Sequence, residues 1–201
     1  MGRMDLDRLW SVARGLRPRV PPRKPLPKLL FVTDPARTPD IEAIAGRLPR
    51  GAGIVFRAFG APDAAVQAAR LARIARRRGL TLLAGADEAL AIDGLHLPER
   101  MIPRLPRLRA RHRRWIITAA AHSAWAIRAA KGADAVLVSP VFESASPSAG
   151  KPLGPHRLAA LVRLSPVPVY ALGGVNMKNA RRLRATGVYG IAAVEAFVPR
   201  T

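Results

Sequence analysis

The segment Val167-Pro-Val-Tyr-Ala-Leu-Gly-Gly-Val-Asn-Met-Lys-Asn179 joins an apolar run to a glycine pair and then to a helical pattern that begins at Asn176. A short apolar run between turn residues predicts a buried parallel strand, here Val167 to Leu172. A glycine turn lets backbone N–H groups approach an anion, and the N-terminus of a following helix favours negative charge. Near the end of a chain of alternating strands and helices, this arrangement predicts the phosphate site of a (β/α)8 barrel.

From residue 29 onward, short apolar runs alternate with amphipathic segments. Such alternation predicts an all-parallel sheet with helices outside it. An open doubly wound sheet is the competing architecture, but no Gly-x-Gly-x-x-Gly follows the first strand. We therefore predict an α/β fold, a compact single-domain (β/α)8 TIM barrel over residues 29–201. The predicted strands span residues 29–33, 53–57, 80–84, 94–97, 115–119, 135–139, 167–172 and 190–194.

Several helices of the barrel region begin or end at capping residues. Asp40 and Ser123 each precede a helical pattern and are predicted N-caps. Gly79 follows an amphipathic segment at residues 64–78 and is predicted to close that helix. The last predicted helix spans residues 176–186, directly after the glycine pair.

Residues 1–28 form a basic, Pro-rich N-terminal extension. Dense prolines exclude a continuous helix or a central strand, so we predict a short helix at residues 6–16 and then an extended connector. This segment is expected to be partly disordered or to pack on the barrel. The chain has no cysteine, no apolar leader and no apolar run near the roughly 18 residues of a membrane span. We expect a cytoplasmic protein with no membrane partner.

The formal net charge is +21, and such a basic excess can mark nucleic-acid binding. The arginines, however, lie in separate stretches without interleaved aromatic residues, and no zinc-finger or RNP-type motif accompanies them. We interpret the charge as an arginine-rich composition on solvated faces. A non-catalytic barrel that binds nucleic acid or a partner through its arginines is retained as an alternative, and homo-oligomer formation is left open.

Five motifs resemble, in the same order, those of the thiamine-phosphate synthase superfamily, over about residues 29–198. The superfamily has two branches, thiamine-phosphate synthase and thiazole tautomerase (TenI-like). The resemblance implies a small-molecule ligand, a thiazole phosphate or thiamine phosphate. The motifs are Leu30-Phe-Val-Thr-Asp34, Asp93-Gly-Leu-His-Leu97, Ala121-His-Ser123, Gly132-Ala-Asp-Ala-Val-Leu-Val-Ser-Pro-Val-Phe142 and Ala171-Leu-Gly-Gly-Val175.

The chain departs from the synthase branch on the diphosphate side of the expected site. Of a Gln-x-Arg-x-Lys arrangement at the second strand, only Arg57 remains. Where the resemblance expects metal-binding carboxylates, the chain has Gly85-Ala86 and Met101, which supply no hard oxygen ligand for Mg²⁺. Asp87 and Glu99 are nearby carboxylates, but neither occupies the expected position.

The resemblance therefore favours the TenI-like reaction, a proton-transfer isomerisation of thiazole phosphate that needs neither metal nor cofactor. The alternative is thiamine-phosphate synthase, which transfers the pyrimidine from its diphosphate to thiazole phosphate and would require Mg²⁺. His122 matches the catalytic histidine of the tautomerase branch, and imidazole transfers protons well near neutral pH. The alternative for His122 is a polar residue that faces solvent.

The remaining site residues are predicted to bind phosphate. Arg57 lies at a strand end, where a barrel mouth binds anions; its alternative is an ion pair with Asp34 or Asp87. His96 lies between apolar neighbours and is predicted to be a hydrogen-bonded core residue. Following the resemblance, the sixth loop would bring a serine and a lysine over the phosphate. The predicted phosphate-binding residues are Arg57, Ser146, Lys151, Gly173, Gly174 and the backbone near Ala193.

Overall fold

The computed structural model describes residues 3–146 and 150–198, with residues 3 and 4 described by their backbone alone. Eight strands close into a barrel in chain order, each parallel to both neighbours. The predicted (β/α)8 fold is confirmed. The strands are β1 (Leu29–Val32), β2 (Gly53–Phe56), β3 (Thr81–Gly85), β4 (Gly94–Leu97), β5 (Ile116–Ala121), β6 (Ala135–Val138), β7 (Val169–Ala171) and β8 (Gly190–Ala193).

Among the described residues, six α-helices surround the strands, and three of them begin or end as the capping residues predict. The Asp40 side chain accepts a hydrogen bond from the Ala43 N–H, and Ser123 Oγ accepts one from the Ala126 N–H. Gly79 closes α3 in the left-handed conformation, with φ of 64°. The helices are α1 (Arg3–Arg14), α2 (Ile41–Arg47), α3 (Ala64–Arg78), α4 (Leu105–Arg111), α5 (Ala124–Ala129) and α6 (Gly154–Leu164).

The segment after the glycine pair differs from the prediction. Instead of a helix over residues 176–186, it holds a 3₁₀ turn at Ala180–Leu183. The Asn179 side chain accepts a hydrogen bond from the Asn176 N–H and donates one to the Gly174 carbonyl, so it closes a local turn that competes with the helix. No α-helix N-terminus therefore follows the glycine pair, and any anion there depends on the loop itself.

The helix between β4 and β5 has no counterpart in the sequence prediction. A 3₁₀ segment, Glu99–Arg104, leads directly into α4 although both contain proline. Pro106 lies in the first turn of α4. A backbone N–H at that position would have no acceptor within the helix, so proline breaks no helical hydrogen bond. The arginine run at residues 104–114 is thus helical as far as Arg111.

The N-terminal segment packs on the barrel. Helix α1 contacts β8 and buries apolar side chains that include Leu9, Val12 and Ala13. We call residues 15–28 the strap, because they cross the end of the barrel where the strands begin. We call that end the basal end and the opposite end the mouth. The hydroxyls of Tyr170 and Tyr189 donate to carbonyls of the strap, which joins it to the barrel interior.

Two hydrophobic layers hold the barrel together. One lies between the strands and the helices, and the other fills the barrel interior with side chains such as Val55, Leu83 and Leu137. The interior is therefore a packed core, and only its mouth is available for polar groups. Among the helices in the described part of the chain, none combines the length and apolar character that crossing a membrane requires.

Candidate functional site at the barrel mouth

Arg57 lies at the end of β2 and is held by the neighbouring β1 loop. Its Nε donates to the Thr33 carbonyl at 2.7 Å, and its terminal nitrogen lies 3.2 Å from Asp34 Oδ2. The same carboxylate oxygen accepts from Arg37 at 2.8 Å, and Arg37 also pairs with Glu195 after β8 at 3.1 Å. The structure thus places Arg57 in the ion pair that the sequence analysis gave as its alternative, and its contact with a ligand stays a prediction.

Both arginines of this network are charged at the mouth. The hydrogen bond from Arg37 holds the pKa of Asp34 below its usual value, and the charge of Arg57 adds to the effect. Burial lowers the pKa of Arg57, but an arginine stays protonated at neutral pH. Arg57 and Arg37 share Asp34, and Glu195 also pairs with Arg37, so the four groups together are formally neutral. Arg57 has only the shared Asp34 as a carboxylate partner among the described residues, so an anionic ligand at the mouth would pair with Arg57.

His96 points into the barrel interior from β4, and it is hydrogen-bonded there as predicted for a core residue. Its Nδ1 lies 2.9 Å from Thr118 Oγ1 on β5, and the residue is 8% exposed. Burial, together with the charges of Arg57 and His122, lowers the pKa of His96 to about 3. The ring is therefore neutral near pH 7, and it joins β4 to β5 beneath the mouth.

Replacing His96 with glutamine is expected to reduce the acid sensitivity of the fold. The unfolded imidazole has a pKa of 6.5 and the native one of about 3, so below pH 6.5 the unfolded chain binds the additional proton. Stability contributed by the neutral ring is complete above pH 6.5 and is lost as the pH falls towards 3. The loss is about 2 kcal/mol over two pH units. Denaturant unfolding at about pH 6 and about pH 4 measures it; exposed His156→Gln is the control and should retain the wild-type loss.

His122 follows β5 and is oriented by two hydrogen bonds. Its backbone N–H donates to Glu99 Oε2 at 2.6 Å, and its ring Nδ1 lies 3.0 Å from the Ser139 carbonyl. A carbonyl only accepts, so this contact requires the proton on Nδ1, and Nε2 is the nitrogen that can accept a proton in the neutral tautomer. The side chain is exposed. This arrangement suits a group that accepts or returns a proton at the mouth.

The glycine pair lies against the loop that follows β6. Gly173 and Gly174 have φ of 90° and 65°, a conformation that favours glycine. A Cβ on Gly174 would lie 2.0 Å from the Glu143 carbonyl oxygen, and one on Gly173 would lie 2.8 Å from Pro140 Cα. Within residues 3–146 and 150–198, the N–H groups of both glycines have no hydrogen-bond acceptor. Unpaired successive amides are the groups that a phosphate can bind.

A cavity of about 520 Å³ opens beside Gly174. It lies between the β6 loop and the segment after β7, and Asn176, Asn179 and Arg182 contribute polar atoms to its wall. The Arg182 guanidinium lies 5.3 Å from the ring centre of Phe142. This cavity reaches neither Arg57 nor His122, so it continues the glycine side of the site only.

The structure gives fewer contacts for the other predicted phosphate-binding residues. Lys151 is exposed at the end of the sixth loop, and the Ser146 N–H lies 3.3 Å from Ser144 Oγ. Residues 147–149, which belong to the same predicted loop motif, lie outside the described residues. The side chain of Ala193 is buried in the layer between strands and helices, so only its backbone can contribute at the mouth. The phosphate-binding roles of all three remain predictions.

The residues at the mouth do not fit a magnesium ion. Ala86 has a methyl side chain, and Met101 packs against the hydrophobic core. The carboxylate of Asp87 accepts the Ala89 N–H, and that of Glu99 accepts the His122 N–H. In the part of the chain that the structure describes, no three His, Asp or Glu side chains form a group that could hold a metal ion.

Three contacts at the mouth were not expected from the sequence. Glu99 was noted only as a carboxylate near the expected metal site, but it fixes the turn that carries His122. Arg37 joins the Arg57 network through Asp34, and Arg182 reaches the glycine side. The positions of these residues after strand ends or in the following turn were the available signal. Asp34 lies only three residues from Arg37, but the contacts of Glu99 with His122 and of Arg37 with Glu195 join segments that follow different strands, which sequence spacing does not reveal.

Comparison with known proteins identifies the family. A family model described as thiamine monophosphate synthase matches residues 29–197. The thiamine-phosphate synthase of Pyrococcus horikoshii is 31% identical over 179 residues, which cover 84% of this chain and 86% of that protein. The thiamine phosphate pyrophosphorylase from Pyrococcus furiosus superposes with a TM-score of 0.69 at 26% identity and covers 86% of this chain and 87% of that chain.

Other relatives are longer than the matched region. The chain aligns with 62% of a relative from Aquifex aeolicus. It aligns with 42% of the thiamine biosynthesis bifunctional protein ThiM/ThiE of Symbiobacterium thermophilum, at 31% identity over 95% of this chain. The family match nevertheless extends from β1 to the 3₁₀ turn after β8, and it includes every strand of the barrel. The chain therefore belongs to the thiamine monophosphate synthase family of thiamine biosynthesis.

Proposed function

We propose that this chain binds a thiazole phosphate at the barrel mouth and forms thiamine phosphate from it, the activity that the names of its relatives carry. The observation that carries the proposal is the match to relatives named thiamine-phosphate synthase, one of which covers 84% of the chain. This order reverses the preference of the sequence analysis, which placed isomerisation first. The thiazole phosphate is common to both reactions.

The proposed reaction joins two small molecules through one new bond. The thiazole nitrogen attacks the methylene carbon of the pyrimidine, the C–N bond forms, and the C–O bond to the diphosphate breaks with its electron pair on oxygen. The leaving diphosphate gains negative charge, which a preorganised cation stabilises. Arg57 is held at the mouth by Thr33 and Asp34, and it supplies such a cation. The amides of Gly173 and Gly174 would hold the monophosphate of the thiazole.

Magnesium is not assigned a role in this chain. The side chains at the positions that the resemblance links to the metal supply no oxygen ligand, and the neighbouring carboxylates already accept backbone N–H groups. In this proposal, arginine therefore stabilises the negative charge of the diphosphate.

Isomerisation of thiazole phosphate is the second candidate, and the geometry of His122 favours it. The ring is oriented by its contact with the Ser139 carbonyl, while Glu99 accepts the backbone N–H of His122. Ring Nε2 is left to take and return a proton. That reaction moves a proton between two positions of one bound molecule and involves neither diphosphate nor metal.

Assays of the purified full chain separate the two reactions. With thiazole phosphate and the pyrimidine diphosphate, we expect release of diphosphate and formation of thiamine phosphate, both with EDTA and with added Mg²⁺. His122→Gln is expected to reduce this rate less than about tenfold, because C–N bond formation transfers no proton from the thiazole. In contrast, isomerisation of the non-aromatic thiazole phosphate would fall by about 10²-fold or more in the same variant.

The outcomes decide between the candidates. Isomerisation without diphosphate release, abolished by His122→Gln, would establish the second candidate and refute the first. Absence of both reactions, with no binding of thiazole phosphate by calorimetry, would refute both. Exposed Arg100→Gln, after β4, is the control variant and should leave either rate unchanged.

A further inference from the structure

We propose that the basal end of the barrel is a binding surface for single-stranded nucleic acid, separate from the small-molecule site at the mouth. The proposal rests on the spatial distribution of charge and on one aromatic cavity at that end. It does not depend on the reaction proposed above, because the side chains assigned to the basal face differ from those assigned to the mouth.

Basic side chains that are dispersed in the sequence converge at the basal end. In a parallel barrel, each loop from a helix to the next strand lies at this end, and so does the last turn of each helix. Every α-helix of the described residues carries a basic residue in its last turn. The strap adds further exposed arginines. Representative exposed residues of this face are Arg47, Arg50, Arg76, Arg77, Arg113 and Arg114.

Carboxylates are nearly absent from the same face. Within the described residues, Asp93 and Asp134 lie in the basal loops, and the carboxylate of Glu88 reaches His112 at the end of α4, at 3.4 Å. Asp93 accepts the Leu82 N–H, and Asp134 accepts the Ile117 N–H and pairs with Arg109 at 2.6 Å. Both aspartates thus have structural partners. The exposed guanidinium groups around them keep most of their positive charge.

Contacts between the basal loops make this face continuous. The Gly51 N–H donates to the Gly79 carbonyl at 2.9 Å, which joins the loops before β2 and β3. Lys24 of the strap donates to the carbonyls of Arg113 and Trp115, before β5. The strap therefore carries its arginines across the face and connects the helix ends on either side.

The helix dipole explains only part of this arrangement. A cation in the last turn of a helix stabilises that helix by about 0.3–1 kcal/mol, which would account for one basic residue per helix. It does not account for the arginines of the strap, which is not helical, or for Arg113 and Arg114 beyond the end of α4. A basic stripe of this extent is the electrostatic feature of proteins that bind nucleic-acid backbones.

The basal face also contains an aromatic cavity. Trp115 is half-buried, and the ring of His112 stacks on it with ring centres 3.5 Å apart, so at most one face of the indole can receive a base. Trp115 lines a cavity of about 410 Å³ together with Arg114, Ile92 and Asp93. Unpaired bases stack on aromatic side chains that lie beside a basic track, whereas a duplex presents no free base faces. The cavity therefore favours a single strand over a duplex.

A lipid surface fits this face less well. Peripheral membrane binding combines basic residues with an apolar face that enters the bilayer. Among the described residues, the large exposed apolar side chains at the basal end are Ile92, in the loop before β4, and Leu164, the last residue of α6. Guanidinium groups without an apolar wedge match a phosphodiester chain.

Fluorescence anisotropy with a labelled single-stranded RNA of about 20 nucleotides tests the proposal. The full chain should bind at about 100 mM salt, with an affinity that falls steeply as salt rises. Arg113→Gln/Arg114→Gln should weaken binding about tenfold and reduce the salt slope by about 1.4, at 0.7 per lost phosphate contact. Arg100→Gln/Arg157→Gln removes the same charge from exposed positions at the mouth end and should change the affinity less than about twofold.

Two results would overturn the proposal. Equal weakening by the basal and the mouth-end variants would mean that net charge alone attracts the RNA. Tighter binding to vesicles containing anionic phosphatidylserine than to the RNA, lost in the basal variant, would assign the face to a membrane. In either case thiamine phosphate formation is measured independently, so the function proposed for the mouth is judged by its own assay.

Discussion

Substitution of Gly174 by alanine is expected to abolish measurable binding of thiazole phosphate and to destabilise the barrel by about 3 kcal/mol. The new Cβ would lie 2.0 Å from the Glu143 carbonyl oxygen, a distance that requires the β6 loop to move. The φ of 65° adds the strain of a left-handed alanine. Because both effects act on the turn that presents the two unpaired amides, phosphate affinity should fall together with stability.

Gly51 provides the matched control for this prediction. It has φ of 78°, but a Cβ there would meet no atom within 4 Å. Gly51→Ala therefore introduces the backbone strain alone, about 1 kcal/mol, at the basal end of the barrel. The difference between the two variants in the free energy of unfolding isolates the steric overlap at Gly174.

Calorimetric titration with thiazole phosphate and with inorganic phosphate, beside denaturant unfolding, measures both consequences. Gly51→Ala should bind both ligands as the wild type does. If Gly174→Ala bound thiazole phosphate with unchanged affinity, the glycine turn would not be the phosphate site, even if stability fell as expected.

The strands of the barrel could be predicted because each one is a short apolar run bounded by turn residues. In a barrel both faces of a strand are buried, so the apolar run continues without alternation, as in Leu29–Val32 and Ala135–Val138. The sequence predicted a helix after the glycine pair, whereas the structure has a turn there. The residue type of Asn179 does not distinguish the two structures. Asn179 could have served as a helix residue, but in the fold its side chain bonds the turn.

The sequence predicted which residues lie at the mouth more reliably than it predicted which residues they contact. Parallel strands bring their C-terminal ends together, so residues such as Arg57 and His122 could be placed at the mouth from the strand assignments alone. Their partners could not. Glu99 orients His122 across a separation of 23 residues, and Arg57 bonds Thr33 across 24. Such pairings depend on strand order and register, which the sequence specifies only through the complete fold.

The distribution of charge over the surface also could not be predicted from the sequence. The arginines occupy separate stretches of the chain, so sequence reasoning treated them as a composition bias. Helix ends and the strap bring many of them to one face. Only the topology reveals that this face has few opposing carboxylates.

Substitution of Arg57 by methionine is expected to lower kcat/KM for thiamine phosphate formation by about 10²-fold to 10³-fold. In the proposed reaction Arg57 is the cation nearest to the departing diphosphate, and a charge-assisted contact that strengthens in the transition state has an effect of this size. Methionine retains the aliphatic length of the side chain and removes the charge. The variant therefore tests electrostatics with little change in packing volume.

The fold should tolerate this substitution. Asp34 loses one partner but keeps Arg37 at 2.8 Å and the Ala36 N–H, so no buried carboxylate is left unpaired. The Thr33 carbonyl loses the Arg57 Nε, but Thr33 Oγ1 still accepts the backbone N–H of residue 57. We expect the melting temperature to fall by only a few degrees, about that of a single lost hydrogen bond.

Arg57→Lys and Arg100→Met complete the test. Lysine restores a positive charge without the bidentate geometry, so it should recover part of the lost rate, whereas Arg100→Met removes an exposed charge that has no assigned role and should have no effect. Binding of thiazole phosphate alone should stay within about twofold of wild type in Arg57→Met, because the monophosphate is assigned to the glycine turn. An unchanged rate in Arg57→Met would leave the β1–β2 ion pair as a purely structural feature. The diphosphate would then have to lie elsewhere on the mouth.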